Sequence, residues 1–286
     1  MARIKDFFNL VKIEHTLFAL PFALIGYTLG GKAIGNFLNL EILLAVLLCM
    51  FFARNAAMAF NRFLDRDIDS KNKRTAGREI PAGMVKSREA LIFVIVNSIL
   101  FWATTWFINP LCFSLAPIAL FIILFYSYTK RLTSLCHFVL SIGLAIAPIG
   151  AYIAMTGNFS MDALWYSLIV FFWSSCFDII YALQDEEFDR KEGLHSIPVL
   201  FSRKRALSIA RIGHCIAGVL IIINGVVVEY GALYYIGAAI FIAALIYQNS
   251  IVKENDLSRV NLAFGTTNGA SSVVFGIFVI LDIILL

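Results

Sequence analysis

Charge is scarce in this chain: 15% of its 286 residues are Asp, Glu, Lys or Arg, against 60% that are apolar. A soluble domain carries about a quarter charged residues and about half apolar ones. That shortage, with a mean hydropathy of +0.84, excludes an ordinary soluble globule and makes lipid the expected solvent. The few cysteines (Cys49, Cys112, Cys136, Cys176 and Cys215) fall singly, within an apolar run or at its edge, which excludes a zinc or redox site built on paired cysteines. His15, His137, His195 and His214 form no His-Glu-x-x-His pattern, so transition-metal ligation is not expected. A Walker A sequence is absent, as is a Gly-x-Gly-x-x-Gly following a strand.

What is present is a series of apolar runs. Crossing about 30 Å of hydrocarbon takes about 20 residues of helix, and nine runs of roughly that length are expected to span: 16–31, 42–60, 90–108, 110–128, 133–157, 163–184, 206–228, 232–248 and 260–286. A helix satisfies its own backbone in hydrocarbon, so the expected fold is all-α, integral to the membrane, and a single transmembrane domain over residues 1–286. With the N-terminus placed in the cytoplasm, Lys32 is the only basic residue in an outward segment, Arg54 and Arg211 lie in or near the ends of spans, and all other Lys and Arg are cytoplasmic. The positive-inside rule fixes that orientation. The net charge of +4 is then a consequence of topology, not a nucleic-acid surface. The start, Met-Ala-Arg-Ile-Lys, precedes an apolar run without a small-residue cleavage site, as in a retained helix.

Two segments hold more charge than connectors need. Asn61, Asp65 and Asp69 stand at i, i+4 and i+8 if the second span continues as helix, with Arg74 and Arg78 just downstream. After the sixth span, Asp178, Tyr181, Asp185 and Asp189 are spaced 3, 4 and 4, again one helical face. Stacked like charges destabilise a helix, and a charge in hydrocarbon costs at least about 2.5–3.5 kcal/mol. A ligand that repays this cost is expected. Oxygen donors without Cys or His suit Mg²⁺, which is commonly held by one or two carboxylates with substrate phosphates. Guanidinium groups match phosphate oxygens bidentately. Together these features predict a magnesium–diphosphate site. Arg54 lies seven residues before Asn61 on the same face, and Tyr126 and Lys130 form an i, i+4 pair at the end of the fourth span.

These residues resemble the UbiA superfamily of intramembrane aromatic prenyltransferases, in particular its 4-hydroxybenzoate polyprenyltransferase branch. The resemblance covers the whole chain and is most specific in Asn61-x-x-x-Asp65-x-x-x-Asp69 with Arg74-Thr-x-x-Arg78 and Pro81-x-Gly83, and in Asp178-x-x-Tyr181-Ala-x-Gln-Asp185-x-x-x-Asp189 with Gly193-x-x-Ser196-x-Pro198. It implies nine helices around a cavity that opens sideways to the bilayer, in a bacterial inner membrane. It also implies transfer of a polyprenyl group from polyprenyl diphosphate to 4-hydroxybenzoate, or a similar hydroxy-aromatic acid, in ubiquinone or menaquinone biosynthesis. By the same resemblance Asn61, Asp65, Asp69, Asp185 and Asp189 correspond to the magnesium and diphosphate positions, and Arg74 and Arg78 help hold the diphosphate. Tyr126 and Lys130 lie near the leaving group, and Arg54, Asp178 and Tyr181 at the acceptor end.

Many members have Asp directly after the first Asn, where this chain has Arg62. A helix turns that position about 100° from the Asn61/Asp65/Asp69 column, so the departure bears on the subfamily rather than on metal binding. Asn-Arg variants are similar to bacterial proteins called 4-hydroxybenzoate polyprenyltransferases, some of them in menaquinone routes that start from a dihydroxynaphthoate. The alternative from another class is an ion-coupled transporter, which predicts inverted repeats and broken spans.

Overall fold

The computed structural model describes residues 4–11 and 18–286. Residues 16 and 17 of the first expected span, and His15, lie outside them. The helices are α1 (Ile4–Val11), α2 (Leu20–Ile34), α3 (Leu40–Leu64), α4 (Arg66–Lys71), α5 (Ser87–Trp106), α6 (Pro110–Thr129), α7 (Cys136–Thr156), α8 (Met161–Ala182), α9 (Glu186–Lys191), α10 (Ile197–Phe201), α11 (Arg203–Val227), α12 (Ala232–Ile251) and α13 (Asn268–Leu285). Among the described residues no strand forms.

Eight helices are long and apolar enough to cross a membrane: α3, α5, α6, α7, α8 with its continuation, α11, α12 and α13 with the turn before it. A ninth apolar helix, α2, has 15 described residues, about 22 Å at 1.5 Å per residue. The described residues thus give eight full spans and one shorter apolar helix where nine spans were expected.

Local chemistry sets the ends. The Asn39 side chain accepts the Ile42 amide at 3.2 Å and starts α3. Asn109 accepts the Cys112 amide at 2.8 Å, with Pro110 in the first turn of α6. Ser160 accepts the Asp162 amide at 3.1 Å and opens α8. Each side chain satisfies an amide the helix itself leaves unpaired. Gly35 and Gly157 close α2 and α7 with φ near +70°, a conformation that favours glycine.

The last span departs most from its expected form, because residues 262–267 form a π turn before α13 begins. Asn268 explains it: its amide donates to the carbonyls of Ala263 and Phe264 at 3.1 and 3.0 Å, while its side-chain oxygen accepts the Trp173 indole at 2.9 Å. One extra residue is wound into the turn so that a polar side chain inside the bundle is fully satisfied.

The α8 helix runs through the middle and is mostly buried, whereas little of peripheral α6 is buried. Trp173 and Tyr166 on α8 pack with Phe22, Phe241 and Phe275 in the main core. Helices α2 and α7 approach so closely that a Cβ on Gly26 would collide with the Pro148 carbonyl, the small-residue packing that membrane helices use.

The end of the bundle without the acidic segments is closed by Asp282 on α13. Buried at 3% exposure, it accepts the Gly231 amide at 2.8 Å and the Tyr234 amide at 3.1 Å, capping α12 from a neighbouring helix. Replacing Asp282 with Ala would leave two amides without acceptors, at about 1–3 kcal/mol each. We expect Asp282→Ala to lower the melting temperature in detergent by several degrees, with Asp282→Asn intermediate. An unchanged melting temperature in the alanine variant would show that the cap contributes nothing.

Candidate active site

The two acidic segments meet at one end of the bundle. They do not form the continuous helical columns expected of them. Helix α3 ends at Leu64, and Asp65 caps it with a φ of −89° and ψ of 3° before the chain resumes as α4. Likewise α8 ends at Ala182, and a tight turn over Leu183–Asp185 leads into α9. Both breaks fall where carboxylates crowd one face, and at the first the Asp65 and Asp69 amides still donate to the Asn61 and Asp65 carbonyls at 2.9 and 2.7 Å. Asn61 still reaches Asp65, its amide 3.4 Å from Oδ2.

Each carboxylate of the mouth has cationic company. Asp65, 2% exposed, lies 2.8 Å from Lys130 Nζ and 2.8 Å from Arg131 Nη2. Asp69, 4% exposed, accepts Arg78 Nη1 on both oxygens at 2.7 and 2.8 Å. Asp185 is clasped by Arg74 through a fork, Nε to Oδ1 at 3.0 Å and Nη2 to Oδ2, and also accepts the Asn72 amide at 3.0 Å. The same guanidinium donates to the Tyr181 hydroxyl at 3.1 Å and lies over its ring. The loop of the first segment thereby holds two residues of the second. Burial works against the charge of Arg74, but hydrogen bonding to Asp185 and the Asp185 charge outweigh it and raise its pKa above the usual arginine value.

Lys130 ties the mouth together a second time, pairing with Asp65 while its charge also acts on Asp189. Asp189 is buried and feels Asp185 and Arg74 as well. Deeper in the bundle, Tyr126 on α6 lies within electrostatic range of Arg54, Asp65 and Asp178. Phe264, delivered by the π turn, packs on Tyr181 with the rings tilted by 32° and centroids 4.2 Å apart.

Asp178 shares unbroken α8 with Tyr181, and its Oδ2 meets His137 Nδ1 at 2.6 Å. Arg62, one helical step from Asn61 on α3, is not left on an exposed face. It is buried, within electrostatic range of Arg78, Asp69, Glu79 and Tyr126. His137, Arg131 and Asn72 were not anticipated from sequence. His137 carried a usable signal, since an ionisable side chain inside a span is a functional candidate by default; Arg131 and Asn72 look like ordinary loop residues.

The donors suit a hard cation, being carboxylate and amide oxygens only. Among the described residues, Asp65 Oδ1 is buried and accepts no hydrogen bond, the Arg131 contact being an ion pair without hydrogen-bond geometry. Among the described residues no three His, Cys, Asp or Glu side chains stand close enough to hold a metal by themselves. The residues present therefore fit Mg²⁺ arriving with substrate phosphates, its usual mode, rather than a closed protein cage.

A bundle of apolar helices with a mouth of interlocked carboxylates and guanidiniums defines an integral membrane protein equipped to handle a polyanion. The chain belongs to the UbiA prenyltransferase family, whose pattern matches residues 19–273. It is 32% identical to a UbiA homologue from Aeropyrum pernix K1, whose apo structure superposes with a TM-score of 0.84 over 94% of this chain and 98% of that one. A protein named 4-hydroxybenzoate octaprenyltransferase from Shewanella pealeana (strain ATCC 700345 / ANG-SQ1) is 29% identical over 204 residues, 71% of this chain and 70% of the relative. In fold, the chain also resembles a UbiA homologue from Archaeoglobus fulgidus bound to DMAPP and Mg²⁺, with a TM-score of 0.76, 23% identity and coverage of 98% and 100%. This membership sets the chain among prenyltransferases and apart from the transporter alternative.

Proposed function

We propose that the protein transfers a polyprenyl group from polyprenyl diphosphate to 4-hydroxybenzoate or a closely similar hydroxy-aromatic acid in quinone biosynthesis, with its N-terminus and acidic mouth on the cytoplasmic side of a bacterial inner membrane. One observation carries this reading. Arg74, from the loop after the first acidic segment, clasps Asp185 and Tyr181 of the second, so both segments address a single ligand.

In this reading Arg74, Arg78 and Lys130, now paired with carboxylates, exchange those partners for diphosphate oxygens. Arg74 and Arg78 offer a planar fork and Lys130 a point charge. Asn61, Asp65, Asp69, Asp185 and Asp189 hold Mg²⁺, which when bound neutralises charge on the departing diphosphate and acts as a Lewis acid. The allylic C–O bond breaks with its electron pair leaving on the diphosphate. The ring carbon ortho to the acceptor hydroxyl forms the new C–C bond and then loses its proton to an oxygen of the released diphosphate. Phe264 and Tyr181 present π faces that favour a cation and exclude water. Arg54 pairs with the acceptor carboxylate, Asp178 and Tyr181 orient its ring, and Tyr126 stands with Lys130 near the leaving group.

The 29% identical Shewanella protein supports 4-hydroxybenzoate as the acceptor, whereas Arg62 at the position after Asn61 keeps a dihydroxynaphthoate as the second reading. Membranes containing the protein, given labelled polyprenyl diphosphate and Mg²⁺, are expected to prenylate 4-hydroxybenzoate. EDTA is expected to stop the reaction and added Mg²⁺ to restore it. Labelled product only with the dihydroxynaphthoate would move the chain to the second reading, and no product with either acceptor would remove both.

A further inference from the structure

His137 is 3% exposed and sits in the first turn of α7, facing α8 and the segment that follows α9. Its Nε2 accepts the Ile197 amide at 3.3 Å, and its Nδ1 lies 2.6 Å from Asp178 Oδ2. An imidazole nitrogen that accepts an amide hydrogen carries no proton of its own, so in the neutral ring the proton resides on Nδ1 and is donated to Asp178. Both ring nitrogens are thereby committed, and the ring plane has little freedom to rotate.

The segment that Ile197 belongs to is itself pinned. The His195 amide donates to the Lys130 carbonyl at 2.7 Å, Cys136 Sγ donates to the His195 carbonyl at 3.5 Å, and Ser196 caps α10. His137 therefore stands on a fixed support reaching from the Lys130 end of α6 to the start of α10. On the other side it holds one oxygen of Asp178. Among the described residues Oδ1 of Asp178 has no hydrogen-bond partner, and the side chain is 20% exposed and within electrostatic range of Tyr126.

We infer that His137 is a positioning residue: it fixes the rotamer of Asp178 so that the second carboxylate oxygen is held ready for the hydroxyl of an aromatic acceptor. The inference rests on the acceptor role proposed above for Asp178. A carboxylate free to swing would lose orientation for an acceptor without affecting the diphosphate mouth, whose contacts run through other residues. The geometry thus separates acceptor recognition, through His137 and Asp178, from donor recognition, through Arg74, Arg78 and Lys130.

Two isosteric variants divide the ring's functions. Asn at position 137 puts an amide donor near the place of Nδ1 and abandons Ile197, whereas Gln puts an amide oxygen near the place of Nε2 and abandons Asp178. Binding of 4-hydroxybenzoate to donor-free, detergent-solubilised protein and steady-state KM values for both substrates are the measurements, with Asp178→Ala as the benchmark. We expect His137→Asn to bind 4-hydroxybenzoate within about threefold of the unmodified protein, and His137→Gln to bind about tenfold more weakly, the size of one hydrogen bond. The KM for polyprenyl diphosphate should stay unchanged in both. Equal retention in both variants, retention by Gln with loss by Asn, or a parallel rise in both KM values overturns the inference. Should Asp178→Ala bind 4-hydroxybenzoate normally, the acceptor reading falls and this inference with it; should only the His137→Gln effect be missing, the acceptor reading stands and the inference alone falls.

Discussion

Asp65→Ala and Asp185→Ala are each expected to reduce prenyl transfer by at least about 10²–10³-fold, the loss that follows removal of one preorganised charge-stabilising group. Asp65 lies buried where α3 breaks, with Lys130 and Arg131 at 2.8 Å. Without its carboxylate the mouth loses an oxygen donor that reaches inward, and two cations are left facing one another. Asp185 has the equivalent place on the opposite lip, under Arg74 and Asn72. Asp67, whose side chain is 79% exposed, serves as the control, and Asp67→Ala should transfer normally. The comparison uses labelled product formed by membranes with matched amounts of inserted protein. Full activity in Asp65→Ala or Asp185→Ala would remove that residue from the chemistry.

A second large effect is expected at Arg74. Its fork on Asp185 and its bond to Tyr181 use three donors in one plane. Lysine has a single ammonium and cannot reproduce that plane, so Arg74→Lys should fall short of wild type in kcat/KM for polyprenyl diphosphate by at least about tenfold, and Arg74→Ala by about a hundredfold or more. A structural latch and a diphosphate ligand make different demands in a double-variant cycle. If Arg74 serves only to hold Asp185, the Arg74→Ala/Asp185→Ala pair loses no more than the worse single variant. If both residues also act on the substrate complex, the pair loses more than either alone. A fully active Arg74→Lys would show that charge alone suffices and that the planar contact is unimportant.

Much of this organisation is legible in residue order because lipid imposes a simple rule. Runs such as 110–128 carry no charged residue, and outside a closed barrel only a helix satisfies such a backbone in hydrocarbon; α6 follows that run almost residue for residue, started by Asn109 and Pro110. The acidic segments were legible for the converse reason, since charges at such ends are expensive without a ligand to repay them. Their internal shape was not. Extrapolating an unbroken helix through Asp65 and Asp185 ignores the crowding of carboxylates and the pull of Lys130, Arg131, Arg74 and Asn72 from elsewhere in the chain. The π turn before α13 escaped for a similar reason, because it depends on Asn268 meeting Trp173 from a distant helix.

Residue order alone determined that the chain lives in a membrane, which stretches become helices, and that two oxygen-rich segments carry a cost calling for a ligand. These follow from solvent, backbone satisfaction and spacing along one segment. Tertiary structure decided which residue answers which: Arg74 with Asp185, Lys130 with Asp65, Arg78 with Asp69, His137 with Asp178. Apart from the short link between Asp69 and Arg78, these partners are separated by 41 to 111 positions and lie on different helices or loops. A spacing rule cannot see such pairs, because side chains distant in the chain meet only once the packing of whole helices has set their distance and angle.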